Sequence, residues 1–310
     1  MERIEIPNFA TYSPVSLTDL MVGGPVAARL LLGVTPVGRA IQTAAFLSYA
    51  GSALLDWAAR LGVRKVEFER EFGADVHRLV PMPREAREAE IARLVEALNE
   101  EYTAESPPRQ ELALRANARL TDYLATLTGQ VVETSAEVRG MTLAGFLLPF
   151  AHGACDIVSG DIAIFRDTGV FEAHILAHEL VHRRGYFKEL HAQVLSHLAL
   201  STSGDPVLVQ STRAERLNRH LQTLSDEDPT RHRELAERAG LRPELAEAFL
   251  PAVPKSPPHP ISDGLRQLYD ARMRLTGQNG LTDYWQGFTD FLWTFQTAGE
   301  ARQPRAHARV

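Results

Sequence analysis

His178-Glu179-Leu180-Val181-His182 is the stretch from which the rest of this chain is read. The order HExxH sets two imidazoles four residues apart, one turn above each other on an α-helix, where both reach one ion. Glu179 directly follows the first imidazole, the place from which a carboxylate can hold and deprotonate a water at a metal. A motif helix is expected over Phe171 to Arg184, with Gly185 standing where a C-cap glycine belongs.

A catalytic zinc ordinarily takes three protein ligands and leaves a fourth position for water, so the motif needs one more donor. Five of the 11 histidines, His174, His178, His182, His191 and His197, lie between positions 174 and 197. The longer pattern HExxHxxGxxH matches through Gly185 and then fails, because its third histidine would stand at Lys188. Glu189 and His191 remain, on a second helix expected over Lys188 to Leu200. At about 100° per residue His191 shares a face with Val194, Leu195 and Leu198, whereas Glu189 points with Gln193 and Ser196. If the apolar face packs on the motif helix, His191 turns to the metal and Glu189 to water. His191 is therefore the expected third ligand. His174, one turn before His178, is expected beside the site, and His197 on a solvated face.

The whole chain describes an ordinary folded protein of 310 residues, 45% hydrophobic and 23% charged, long enough for a sizeable core. Its net charge of −6, from 33 basic and 39 acidic residues, leaves no electrostatic footprint for nucleic acid. A single cysteine, Cys155, excludes an intrachain disulfide framework and calls for no oxidising compartment, so a cytoplasmic location is expected. No secretory signal is evident at Met1 to Asn8. Residues 20–58 hold two apolar stretches around Pro36, Gly38 and Arg39, each interrupted by polar residues. They fall short of a spanning segment and read as a pair of buried helices, with membrane contact as the alternative.

Further along, Arg64 to Gly73 reads as a strand or extended crossing, Arg84 to Tyr102 and Glu111 to Leu127 as amphipathic helices, and Val131 to Val138 as extended. Residues 159–166 carry a turn signal and a short β-type run, a candidate edge along which an extended substrate pairs. Residues 224–262 read as a surface excursion with a short helix at Arg233 to Ala239, followed by closing helices at Ile261 to Thr276 and Thr282 to Phe295. The expected organisation is an apolar helical hairpin at 1–60, a catalytic domain at 61–297 and a mobile tail at 298–310. The fold class is α+β, predominantly α-helical, a zincin-like metallohydrolase core with a small sheet beside the HExxH helix.

His178 to Tyr186, with Glu189, Ala192 and the helix to Leu200, resembles an uncharacterised bacterial family, the domain of unknown function 3810. So does the downstream set Leu268-Tyr269-Asp270-Ala271, Gly277-Gln278-Asn279-Gly280 and Tyr284. The resemblance spans roughly residues 85–295, weakly in its first half. It implies a zinc peptidase anchored by membrane helices at its N-terminus. In that family a Glu-Ala-Asn triplet follows the motif helix; here His191-Ala192-Gln193 stands in its place, with histidine where the resemblance implies a glutamate ligand.

The expected function is a metal-dependent hydrolase, a zinc metallopeptidase acting on a peptide or protein, with His178, His182 and His191 on the metal and Glu179 as the base. Another divalent transition metal would suit the same donors. Tyr269, Tyr284 or His174 is the expected donor to the developing oxyanion, and Asp270 is a candidate to orient a ligand imidazole. Two rival expectations are a non-hydrolytic three-histidine enzyme of iron, copper or manganese, and a non-catalytic scaffold with a structural metal.

Overall fold

The computed structural model describes residues 1–9, 31–33, 35–140, 151–157, 159–226, 228–249 and 260–302. In chain order these form β1 (Glu2–Glu5), α1 (Pro36–Leu61), α2 (Phe68–Phe72), α3 (Arg84–Glu100), α4 (Arg109–Thr128) and the strands β2 (Gln130–Glu133), β3 (Arg139–Gly140), β4 (Gly153–Cys155) and β5 (Ile162–Ile164). The helices α5 (Glu172–Arg183), α6 (Glu189–Ser201), α7 (Pro206–Ser225), α8 (Pro229–Arg238), α9 (Pro243–Phe249), α10 (Pro260–Leu275) and α11 (Gln286–Arg302) follow. The protein is predominantly helical with small sheets.

Helix starts follow local chemistry. Thr35, Asp205 and Asp228 each precede a proline at the first helical position and accept backbone N–H groups of the first turn in α1, α7 and α8. Such caps satisfy donors that an isolated helix end leaves without partners. The run from Arg64 to Gly73 is not extended throughout: Phe68 and Phe72, four residues apart, bury one face of the single turn α2. Gly73, at φ 71°, ends that turn.

One pair of strands, β1 and β2, runs parallel with Ile4 opposite Val132. The second sheet has the order β3-β5-β4, with β5 parallel to β3 and antiparallel to β4. The 159–166 run thus supplies the central strand, paired on both sides. Among the described residues, β4 is the strand with one partner that lies against α5.

The core gathers around α5 and α6. Leu176, Leu180 and Val181 of α5 and Leu190, Val194 and Leu195 of α6 are fully enclosed, each worth about 1.5–3 kcal/mol in area removed from water. Two arginines after the motif are buried as well. The Arg183 guanidinium donates to the carbonyls of Gly160, Ser135 and Glu137, tying α5 to the loops around the sheets. Arg184 donates to Leu180 O and to Asn117 and Thr121 of α4.

Of the apolar pair expected at residues 20–58, the first lies outside the described residues save its last few positions. The second is α1, which buries Ala53, Asp56 and Arg60 and leaves Leu47, Leu54 and Leu55 exposed. Among the described residues, no helix is long and apolar enough to cross a membrane. The 224–262 segment contains two helices, α8 and α9, and reaches the start of α10, with residues 250–259 outside the described residues. The expected tail begins inside α11, which continues to Arg302, and its remainder lies outside the described residues.

Buried histidines away from the motif set a pH dependence. His197 and His220 lie well below the usual imidazole range and His174 is lowered too, in each case because burial disfavours the charge. Below pH 6.5 the unfolded chain binds these protons and the folded chain resists them. What these three groups contribute is therefore complete above pH 6.5 and falls as pH drops, by up to about 1.4 kcal/mol per pH unit for each. The urea midpoint is expected to be lower at pH 5.5 than at pH 7.5; an unchanged or higher midpoint would contradict this assignment.

Candidate metal centre

Gly185 makes the turn that assembles the site. Its N–H donates to His182 O at 2.8 Å, and its φ of 83° lies in the left-handed region that side chains rarely adopt. A Cβ there would also stand 2.7 Å from the Lys65 ammonium nitrogen. The chain reverses within Arg184 to Lys188, so the first turn of α6 faces the last turns of α5. The Glu189 N–H at that first turn donates to Gln278 Oε1 at 2.7 Å, a cap supplied from the far end of the chain.

Three side chains converge as a result. His178 Nε2 and His182 Nε2 are 3.0 Å apart, and Glu189 Oε2 lies 3.2 Å from the first and 3.0 Å from the second. All three residues are buried, and this group can hold a metal ion. The donor set fits that role: ligand atoms on a tetrahedral ion with bonds of roughly 2.0–2.1 Å stand about 3.3 Å from one another. His182 Nδ1 meets the carbonyl of Tyr186 at 2.6 Å, so this nitrogen carries the proton and Nε2 is directed inward. His178 Nδ1 is enclosed with no hydrogen-bond partner among the described residues.

The three groups are electrostatically coupled. Burial pulls His178 down to about 4. Burial also opposes a charge on His182, but Glu189 overrides it and raises this imidazole to about 9. Glu189, despite burial, is held well below the usual carboxylate range by His182 and by hydrogen bonds from both imidazoles. A divalent ion would displace the shared proton, which couples metal uptake to proton release.

Glu179 lies on the same helix face of α5, and burial raises its carboxyl to about 7. The N–H of Cys155 in β4 donates to this carboxylate. Gly153 allows the close approach: a Cβ there would lie 2.8 Å from Ile164 and 3.4 Å from Glu179 Oε1.

His191 is placed elsewhere. Its Nε2 meets Asp75 Oδ1 at 2.7 Å, and its ring stacks on Phe68 with centroids 3.7 Å apart. Glu189, expected to face water, is 2% exposed and takes the position assigned to His191. The reversal has a physical cause. Helix α6 is buried on nearly every side, including Gln193, Ser196 and His197, so it has no wet face from which to infer orientation. His191→Ala is accordingly expected to leave metal affinity within about threefold of wild type while costing about 1–3 kcal/mol of stability through the Asp75 bond and the Phe68 contact. Metal titration and urea unfolding of the same preparation separate the two effects.

His174 bonds Thr212 and Gln193 at 3.2 and 2.7 Å and packs beside the site without joining the ligand group. His197, expected to be solvated, is buried against Thr212 at 2.9 Å. The Tyr269 and Tyr284 hydroxyls are 3.1 Å apart, and Tyr269 donates to Glu189 Oε1 at 2.5 Å. Asp270 does not orient an imidazole; it binds Arg274 and the N–H of Leu281. Glu189, Gln278 and the backbone of β4 are the site components that sequence reading missed.

Comparison with models of known protein families, with curated proteins and with solved structures finds no match to this chain.

Proposed function

We propose that this protein is a zinc-dependent hydrolase of peptide bonds with a zincin-like core, as the resemblance to the domain of unknown function 3810 also suggests. The carrying observation is the convergence of His178, His182 and Glu189 with Glu179 as a second carboxylate, outside that group, next to them. Two histidines and one glutamate are a donor set of catalytic zinc. A purely structural site has no use for a buried carboxylate beside its first ligand.

A bound zinc ion supplies Lewis acidity, acidifying a water and polarising the scissile carbonyl. Glu179 accepts the water's proton as the new C–O bond forms at the carbonyl carbon. The same carboxyl then gives that proton to the amine as the C–N bond breaks. Tyr284, whose hydroxyl bonds Glu189 and neighbours that of Tyr269, is the candidate to turn and donate to the oxyanion. An extended substrate would add to β4, which has one partner among the described residues, through backbone hydrogen bonds beside Glu179.

Two histidines and a carboxylate also serve oxygen-using iron enzymes, which is the second reading. Metal analysis of protein purified without added metal decides between them, together with mass-spectrometric detection of cleavage in a pool of unstructured peptides. Stoichiometric zinc and cut peptides are expected. Stoichiometric iron, or zinc-loaded protein that cuts nothing in the pool, would overturn the peptidase reading.

A further inference from the structure

The two oxygens of Glu189 have different surroundings. Oε2 faces the imidazoles at 3.0 and 3.2 Å, whereas Oε1 accepts the Tyr269 hydroxyl at 2.5 Å and has the Arg272 guanidinium 3.8 Å away. Arg272 in turn lies over the Tyr269 ring, 4.7 Å from its centroid. Both residues belong to α10, a helix that exposes Leu268 and Leu275 at 68% and 89%. Its inner side reaches Glu189 through these two side chains.

We infer that Tyr269 is a positioning residue that sets how Glu189 meets the ion: it occupies Oε1, so that Oε2 alone serves as ligand. This rests on the metal-binding reading above. A free carboxylate can approach a cation with one oxygen or both, and the second oxygen would take a position that water and substrate need. A hydrogen bond from Tyr269, with a guanidinium nearby, makes Oε1 a poorer donor and fixes the carboxylate plane. Partners of this kind orient metal ligands, and removing one typically weakens metal affinity about 10- to 100-fold.

The test is cobalt(II) titration of the full chain, comparing wild type with Tyr269→Phe and Leu268→Ala. Phenylalanine keeps the ring and removes the hydroxyl; Leu268→Ala perturbs the same helix on its exposed side. Wild type and Leu268→Ala are expected to show the strong visible bands of four-coordinate cobalt. Tyr269→Phe is expected to bind about 10- to 100-fold more weakly and to show the weaker bands of five-coordination. Its metal-free urea midpoint should stay close to that of wild type. Unchanged bands and affinity in Tyr269→Phe would overturn the inference, as would an equal loss in Leu268→Ala, which would point to helix packing. A wild-type protein that takes up no cobalt would remove the metal reading itself.

Discussion

Glu189→Ala is expected to weaken metal binding by more than 100-fold, beyond the roughly 10- to 100-fold that loss of an orienting partner costs. The carboxylate contributes the sole anionic donor of the three, and its Oε2 closes the triangle with both imidazoles. Without it, two neutral imidazoles must hold the ion alone in a buried, weakly polar pocket. The loss should appear in stability as well. An ion present at a hundred times its Kd stabilises the folded state by about 2.7 kcal/mol, and chelation removes that contribution. Wild-type melting should therefore fall on chelation and recover with zinc, while Glu189→Ala should melt at one temperature under both conditions. Wild-type affinity in Glu189→Ala, combined with loss of binding in His191→Ala, would reverse the assignment.

Glu179→Gln is expected to lower peptide cleavage by about 10²- to 10⁴-fold, the usual contribution of a positioned acid–base group. Metal content should stay at the wild-type level, because Glu179 is not one of the three converging residues. The amide keeps the size of the side chain and an oxygen able to accept the Cys155 N–H. It cannot carry a proton from water to the leaving amine. Cleavage at the wild-type rate would exclude Glu179 as the base, and a metal-free Glu179→Gln protein would show that its role is structural.

The motif helix was legible because its signals are local: two histidines four apart, then a glycine that the turn requires at φ 83°. The amphipathic helices α3 and α4 were legible for a similar reason, since one face of each is wet and the apolar period shows. Helix α6 gave no such guide. With both of its faces buried, the helical wheel still groups residues correctly but does not say which group meets α5. That ambiguity is why the sequence points to His191 where the structure places Glu189. Strands β4 and β5 each span three residues, too few for alternation to tell which of the two is the sheet edge. Tyr269 and Gln278 reach Glu189 across 80 and 89 residues of sequence, and no local pattern reports a contact of that range.

One ion is expected among His178, His182 and Glu189. A crystallographic anomalous difference map recorded at the zinc absorption edge, from protein supplied with zinc, tests it most directly. The predicted result is a single strong peak about 2.0–2.2 Å from His178 Nε2, His182 Nε2 and Glu189 Oε2, with Glu189 Oε1 still facing Tyr269. A map with no peak among these three atoms, or with its peak at His191 and Asp75, would contradict the account.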